Sequence, residues 1–256
     1  GNKFEFRMVG SSQSVATPGA VLNTAVADVL SRFADRLEAA ARKGADMAAE
    51  QRALIAESYK AHRRVVFNGN GYAEEWHREA ERRGLPRFRS AVEVIPELAS
   101  PTGVELFSRF GVFTKEEIES RCVIYLEKYA KQINIEAGIM IEMAKTGIFP
   151  AVTSCAEDYA RAASALAAVG AVSSAQEIKA RKLAEYASAV SDETEKLEKA
   201  LAGVQEIEEP LAEARAYRES VIPRMAALRE KVDAVERLVE RKRWPFPTYE
   251  DLLFGL

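Results

Sequence analysis

Two cysteines and two histidines among 256 residues leave little material for a disulfide framework or a metal centre. Cys122 and Cys155 stand far apart in helix-like surroundings, with neither the density of a stapled scaffold nor the paired spacing of a zinc site, so both read as small buried thiols, reduced in a cytoplasm. His62 and His77 sit among charged residues without ligand spacing and read as solvated side chains. Excess positive charge is missing too. Thirty-six Lys and Arg face thirty-nine Asp and Glu, a formal charge of -3, which argues against a nucleic-acid partner. No apolar run approaches the roughly 20 residues that a membrane span requires; Asn134, Glu136 and Glu142 interrupt the longest candidate, residues 133–143. There is no internal repeat, no low-complexity tract and no initiating Met. Gly1 leads straight into patterned sequence, and we expect the chain to be the C-terminal piece of a longer polypeptide.

What is present is mainly α. With 48% hydrophobic and 29% charged residues the composition is that of an ordinary helix-rich domain, long enough for one large or two modest cores. The exception is the opening. Asn2 to Val9 alternates polar and apolar residues, which predicts a single N-terminal strand with Lys3, Glu5 and Arg7 on one face and Phe4, Phe6 and Met8 on the other. A lone strand leaves its backbone groups without ladder partners, so we expect it to belong to an incomplete catalytic sheet.

Helical signals follow in order. Pro18 suits a first helical turn, and Val21, Leu22, Ala25, Val26, Val29, Leu30, Phe33 and Leu37 recur at steps of three and four, which predicts one broad buried stripe ending at Gly44. A second helix runs from about Asp46 to Val66, with Lys60, His62, Arg63 and Arg64 at its negative end, until Asn68-Gly69-Asn70-Gly71 breaks it. That turn reads as structural: it follows a helix and lacks the spacing of a phosphate-binding loop. A short helix at about 73–83 and a stretch punctuated by Pro86, Pro96 and Pro101 lead to Thr114, whose partner Glu117 completes a capping box. The helix that starts there becomes apolar on several sides near Ile135, Ile139, Met140, Ile141 and Met143, and its second half is expected to be the most buried helix, with Met140 and Met143 as core packing, until Pro150 kinks or stops it. Beyond Ser174, two amphipathic helices flank Glu208-Glu209-Pro210 and predict a long antiparallel hairpin, interrupted by Pro223. The four aromatics and two prolines of the tail, residues 244–254, predict a segment that docks into a groove. The expected organisation is residues 1–43 (strand plus helix), 44–172 (helical bundle) and 173–256 (hairpin and aromatic tail).

Four segments carry a family resemblance: residues 2–7 (NKFEFR) followed by 10–14 (GSSQS), residues 67–72 (FNGNGY), residues 129–137 (YAKQINIEA) and the terminal residues 244–254 (WPFPTYEDLLF). Together, in this order, they make the chain resemble the C-terminal part of type III glutamine synthetases, with residues 1–43 as the end of the catalytic domain. The resemblance implies ligation of ammonia to glutamate with ATP through γ-glutamyl phosphate, with Mg²⁺ or Mn²⁺, in a cytoplasmic homo-oligomer of stacked rings. It also implies that Glu5 ligates a catalytic metal and that Arg7 faces the transferring phosphoryl group, while the chain alone is inactive. From the residues alone, Glu5 and Arg7 read as a same-face surface ion pair rather than as catalytic groups. The rival reading is a non-catalytic helical oligomerisation or interaction module.

Overall fold

The computed structural model describes residues 13–255 and divides the chain into two compact units, residues 1–122 and 123–256. Among the described residues every regular element is a helix or a helical turn, so the fold class is mainly α. The strand expected at residues 2–9 lies outside the described residues.

In the first unit, α1 (Ala16–Arg42) ends as expected: Gly44 takes a φ of 70° and donates to the Ala41 carbonyl at 2.9 Å, while Ala45 N–H reaches Ala40 O at 3.1 Å. Asp46 caps α2 (Met47–His62) through Oδ1, which accepts from the amides of Ala48 and Ala49. The expected apolar stripe of α1 is covered only in part, with Val21, Leu22, Phe33 and Leu37 half-buried. Thr24 is the buried residue of that helix, whereas Val26, Val29 and Leu30 face outward, Val26 at 55% exposure. Alongside these residues α1 meets its neighbours through ions. Arg36 holds Glu50 at 2.6 Å and Glu57 at 2.5 Å, and Asp28 receives Arg109 at 2.8 Å from α5 (Pro101–Arg109).

Between these lie α3 (Glu74–Arg82) and α4 (Ala91–Leu98). The proline-punctuated stretch is therefore more helical than its sequence suggests: Pro101 occupies the first turn of α5, where a missing amide costs nothing, and Pro96 sits near the end of α4. The long helix α6 (Lys115–Met143) begins at the expected capping box, with Glu117 N–H on Thr114 Oγ1 at 3.2 Å and Thr114 N–H on Glu117 Oε2 at 2.8 Å. Its first turns bury Ile118 and Cys122, whose thiol meets the Ile95 carbonyl at 3.3 Å. The boundary between the units falls within α6.

In the second unit α6 does not stop at Pro150. It passes through a π-turn, Ala144–Ile148, into α7 (Phe149–Ala168). The return arm of the hairpin does the same, with α9 (Pro210–Ala216) passing through the π-turn Tyr217–Val221 into α10 (Ile222–Glu236). In each case proline is the second residue after the widened turn, and the residue before it donates its amide five residues back, Phe149 to Ala144 O and Ile222 to Tyr217 O. A proline ring in an α-helix collides with the carbonyl four residues earlier, here Thr146 or Glu219; widening that turn gives the ring room and keeps the helix running.

Both π-turns pack against α8 (Ser174–Val204), which is flanked by α7 and α10. The expected hairpin is thus one side of a three-helix unit. Leu183, Ala187, Val190, Thr194, Leu197 and Val204 form the seam of α8 at steps of three, four and seven, facing Val221, Leu228 and Val235 across the hairpin in one contiguous apolar core. That core also takes Ala130, Ile133 and Ala137 from α6 and Val152 and Cys155 from α7. The second half of α6 buries only this one face. Ile135 at 56% and Ile139 at 50% exposure correct the expectation that it is surrounded on all sides.

Candidate functional site

Glu5 and Arg7, the residues the sequence singles out for chemistry, lie outside the described residues. Among the described residues no group of three or more His, Cys, Asp and Glu side chains is arranged to hold a metal ion. Two places in the described structure nevertheless organise polar and aromatic groups in ways that ordinary helix packing does not.

The first is the 67–72 turn of the first unit. Asn70 closes it with its own side chain and backbone, Oδ1 accepting from Tyr72 N–H at 3.0 Å and the carbonyl from Ala73 N–H at 3.1 Å. Gly69 is required sterically, because a Cβ there would lie 2.6 Å from the ring of Phe67. That ring stacks on Trp76 at 4.4 Å, and Arg83 covers Trp76 from 5.6 Å while its Nη1 donates to the carbonyls of Arg64 and Val66. Glu79 bonds both Arg82 and Arg83, and these two guanidinium donors hold its carboxyl well below the ordinary value, at about 2. Aromatic stacking and a guanidinium therefore fix the turn from within, as a structural reading requires.

The second is the seat of the tail in the second unit. The 3₁₀ turn Arg241–Arg243 presents Arg243, whose Nη1 donates to Ser154 Oγ at 2.8 Å and whose Nη2 pairs with Asp158 on α7, with Glu240 beside its Nε at 3.3 Å. Asp158 also receives Arg161, and that bond is the larger reason its carboxyl titrates below the usual range. This clamp delivers Trp244 into the core and lays Phe246 over the first π-turn. Gly147 makes the approach possible: a Cβ there would stand 3.0 Å from the Phe246 ring and 3.2 Å from Pro245. A capping box between Thr248 and Asp251 then starts α11 (Tyr249–Phe254), and Arg241 pairs with Asp251.

The expected docking of the tail is accordingly half met. Trp244 and Phe246 are seated, whereas Leu252, Leu253 and Phe254 are left facing outward, Leu253 at 76% exposure. Beneath the seated half is a cavity of about 320 Å³, lined on one side by α6, the π-turn and α10 and on the other by Trp244, Phe246, Pro247 and Leu252. Sequence reasoning identified the aromatic tail but not its receptor. The available signal was Gly147 between Thr146 and Ile148 in an otherwise continuous helix, a position where only a missing side chain admits a ring.

Comparison with known proteins bears on the whole of the chain. Residues 50–168 match the family model described as the glutamine synthetase C-terminal domain. A type-3 glutamine synthetase of Dictyostelium discoideum is 33% identical over 99% of this chain and 35% of its own length. A glutamine synthetase of Butyrivibrio fibrisolvens is 33% identical over 84% of the chain and 31% of its own, and one of Bacteroides fragilis (strain YCH46) 26% identical over 99% and 36%. The chain thus spans about a third of the length of the curated relatives it matches. With that domain recognised across α2 to α7 and the relatives aligning along nearly all of the remainder, the chain belongs to the glutamine synthetase family.

Proposed function

We propose that the chain serves, within a longer polypeptide, the ATP-dependent ligation of ammonia to glutamate through γ-glutamyl phosphate in a type III glutamine synthetase. One observation carries the reading: a relative named for that enzyme aligns with 99% of the chain at 33% identity, which takes in the residues of the opening E-x-R segment. On this reading residues 1–43 close the catalytic domain, and residues 44–172 and 173–256 form the helical extension. The exposed apolar residues of α1, Val26, Val29 and Leu30, support it, because a stripe of this kind is the face a helix offers to a larger core.

Glu5 would contribute carboxylate oxygen to a hard divalent cation, Mg²⁺ or Mn²⁺, which supplies Lewis acidity toward ATP phosphate when bound. Arg7, permanently charged and two residues further along the chain, would lie against the phosphoryl group as it passes to the glutamate carboxylate and spread the charge that builds on its oxygens. One carboxylate does not make a metal site. The remaining ligands belong to sequence outside this chain, and the 256-residue chain alone is therefore inactive. Replacing Glu5 by Gln in the whole enzyme removes one ligand charge without changing shape. Glutamine formation should fall at least a hundredfold, about 3 kcal/mol of transition-state stabilisation, while the mass of the assembly stays constant. Unchanged turnover would refute the assignment.

A second role is favoured by the outward-facing end of the tail. Leu253 and Phe254, exposed apolar residues at the end of α11, suit subunit contact in a cytoplasmic homo-oligomer of stacked rings. Deleting residues 244–256 should lower the oligomer mass in light scattering; a ring of unaltered mass would sink this role and leave the first untouched.

A further inference from the structure

The cavity beneath the tail has a composition that neither helix packing nor the ligase reading uses. At about 320 Å³ it lies at the small end of the range for ligand sites. Met143, Ile148, Leu228 and Val232 make an apolar floor, and Trp244 and Phe246 supply aromatic walls. Charge enters from one element. Arg229, Asp233 and Glu236, about a turn apart along α10, are the charged residues of the lining. Arg229 Nε lies 3.3 Å from Asp233 Oδ2, and with one cation and two carboxylates the lining carries a formal charge of -1. Glu236 is half-buried and takes part in no ion pair among the described residues.

This combination selects a ligand class. A carboxylate and aromatic rings lining one cavity suit an organic ammonium, whose charge is attracted both by the anion and by ring faces. The floor, in turn, favours a hydrocarbon body that replaces water there. A carboxylate ligand would meet repulsion from Glu236, and a neutral one would desolvate that group without giving it a partner. We propose that the cavity is a binding site for a small primary amine carrying an aryl or branched alkyl group. The site is separate from the ligase chemistry and stands or falls without it.

Trp244 lines the cavity and reports on it once Trp76, the other tryptophan, is replaced by Phe. The test is titration of the full chain, carrying Trp76→Phe, with 2-phenylethylammonium, its neutral analogue 2-phenylethanol and the anion 3-phenylpropionate. The expected result is a saturable change in Trp244 emission with the ammonium, binding weaker by about tenfold for the alcohol, and weaker still binding of the anion. Glu236→Gln should bring the ammonium down to the affinity of the alcohol while leaving the thermal unfolding midpoint unchanged. Leu228→Phe, which fills the floor, should remove both responses, with circular dichroism confirming the fold. Equal binding of ammonium and alcohol, an affinity ratio unmoved by Glu236→Gln, or no response to the ammonium would each overturn the proposal. So would Trp244 emission that ignores every ligand but changes with protein concentration as the mass rises, since a second copy of the chain would then fill the cavity.

Discussion

The two units bury their residues by different means. In the second, an unbroken apolar core runs from Ala130 to Trp244 with α8 at its centre, and its charged groups are spread around the outside. In the first, elements meet largely through guanidinium groups: Arg36 joins α1 to α2, Arg109 joins α5 to α1, and Arg87 reaches Glu74 and Glu81 while its own Nε is buried without a partner among the described residues. Meanwhile Val26, Leu30, Ile55 and Tyr59 remain outside. Exposed ion pairs contribute roughly 0 to 1 kcal/mol each, whereas a buried leucine contributes several times more. The second unit therefore holds the larger apolar core, whereas the first buries a smaller set that includes Val92, Phe107 and Ile118 and leaves apolar residues of α1 and α2 outside.

The sharpest way to break this contrast is a matched pair of truncations. Leu197→Ala, in the fully buried seam of α8, should cost about 2 to 5 kcal/mol in urea unfolding. Val26→Ala on α1 should cost less than about 0.5 kcal/mol in this chain but clearly more in the whole enzyme, as the proposed covering of the stripe by the catalytic domain requires. Comparable losses in the isolated chain would erase the distinction. Next in size, Gly147→Ala forces Phe246 and Pro245 away from the first π-turn. We expect a loss of about 1 to 3 kcal/mol confined to the second unit, together with a red shift of Trp244 emission as the tail lifts. The smallest effect concerns protonation in the first unit. The folded-state value of Glu79 lies below its ordinary 4.5, so the stabilisation from its pairing is complete above that value and disappears as pH falls through about 2. A carboxyl resonance of Glu79 titrating near 2 in NMR is the expected outcome, and a midpoint near 4.5 would show that the pairing with Arg82 and Arg83 does not hold the turn.

Much of the helical plan was legible from residues whose effect is local. Thr114 with Glu117, Gly44 and the Glu209-Pro210 break each act within one turn of their own position, and each falls where expected. What the pattern could not convey is which partner a face has. The spacing of Val26 and Leu30 declares an apolar stripe without saying whether its cover lies in the same chain, and Ile135 and Ile139 invite burial that the second unit does not provide. Pro150 and Pro223 mark a kink, stop or interruption in the sequence because the rule concerns an α-helical turn, and a π-turn lets the helix continue through each. Of the site, Glu5 and Arg7 came from family likeness and fall outside the described residues, while the cavity under Trp244 assembles from α6, α10 and the tail, which no linear spacing connects.

The paired π-turns carry a consequence for how this part of the molecule tolerates change in length. At 3.6 residues per turn, one residue corresponds to about 100° of rotation about the helix axis. A deletion in a regular stretch of α8 would turn every later side chain of its seam by that angle, whereas a π-turn holds one residue more than an α-turn and can lose it by closing to α-geometry, which leaves Val152 and Cys155 on α8. The cost at the π-turns falls on Pro150 and Pro223, whose rings would again meet the carbonyls of Thr146 and Glu219, so a single-residue deletion within α8 should prove more damaging than one at either π-turn, as thermal unfolding would show.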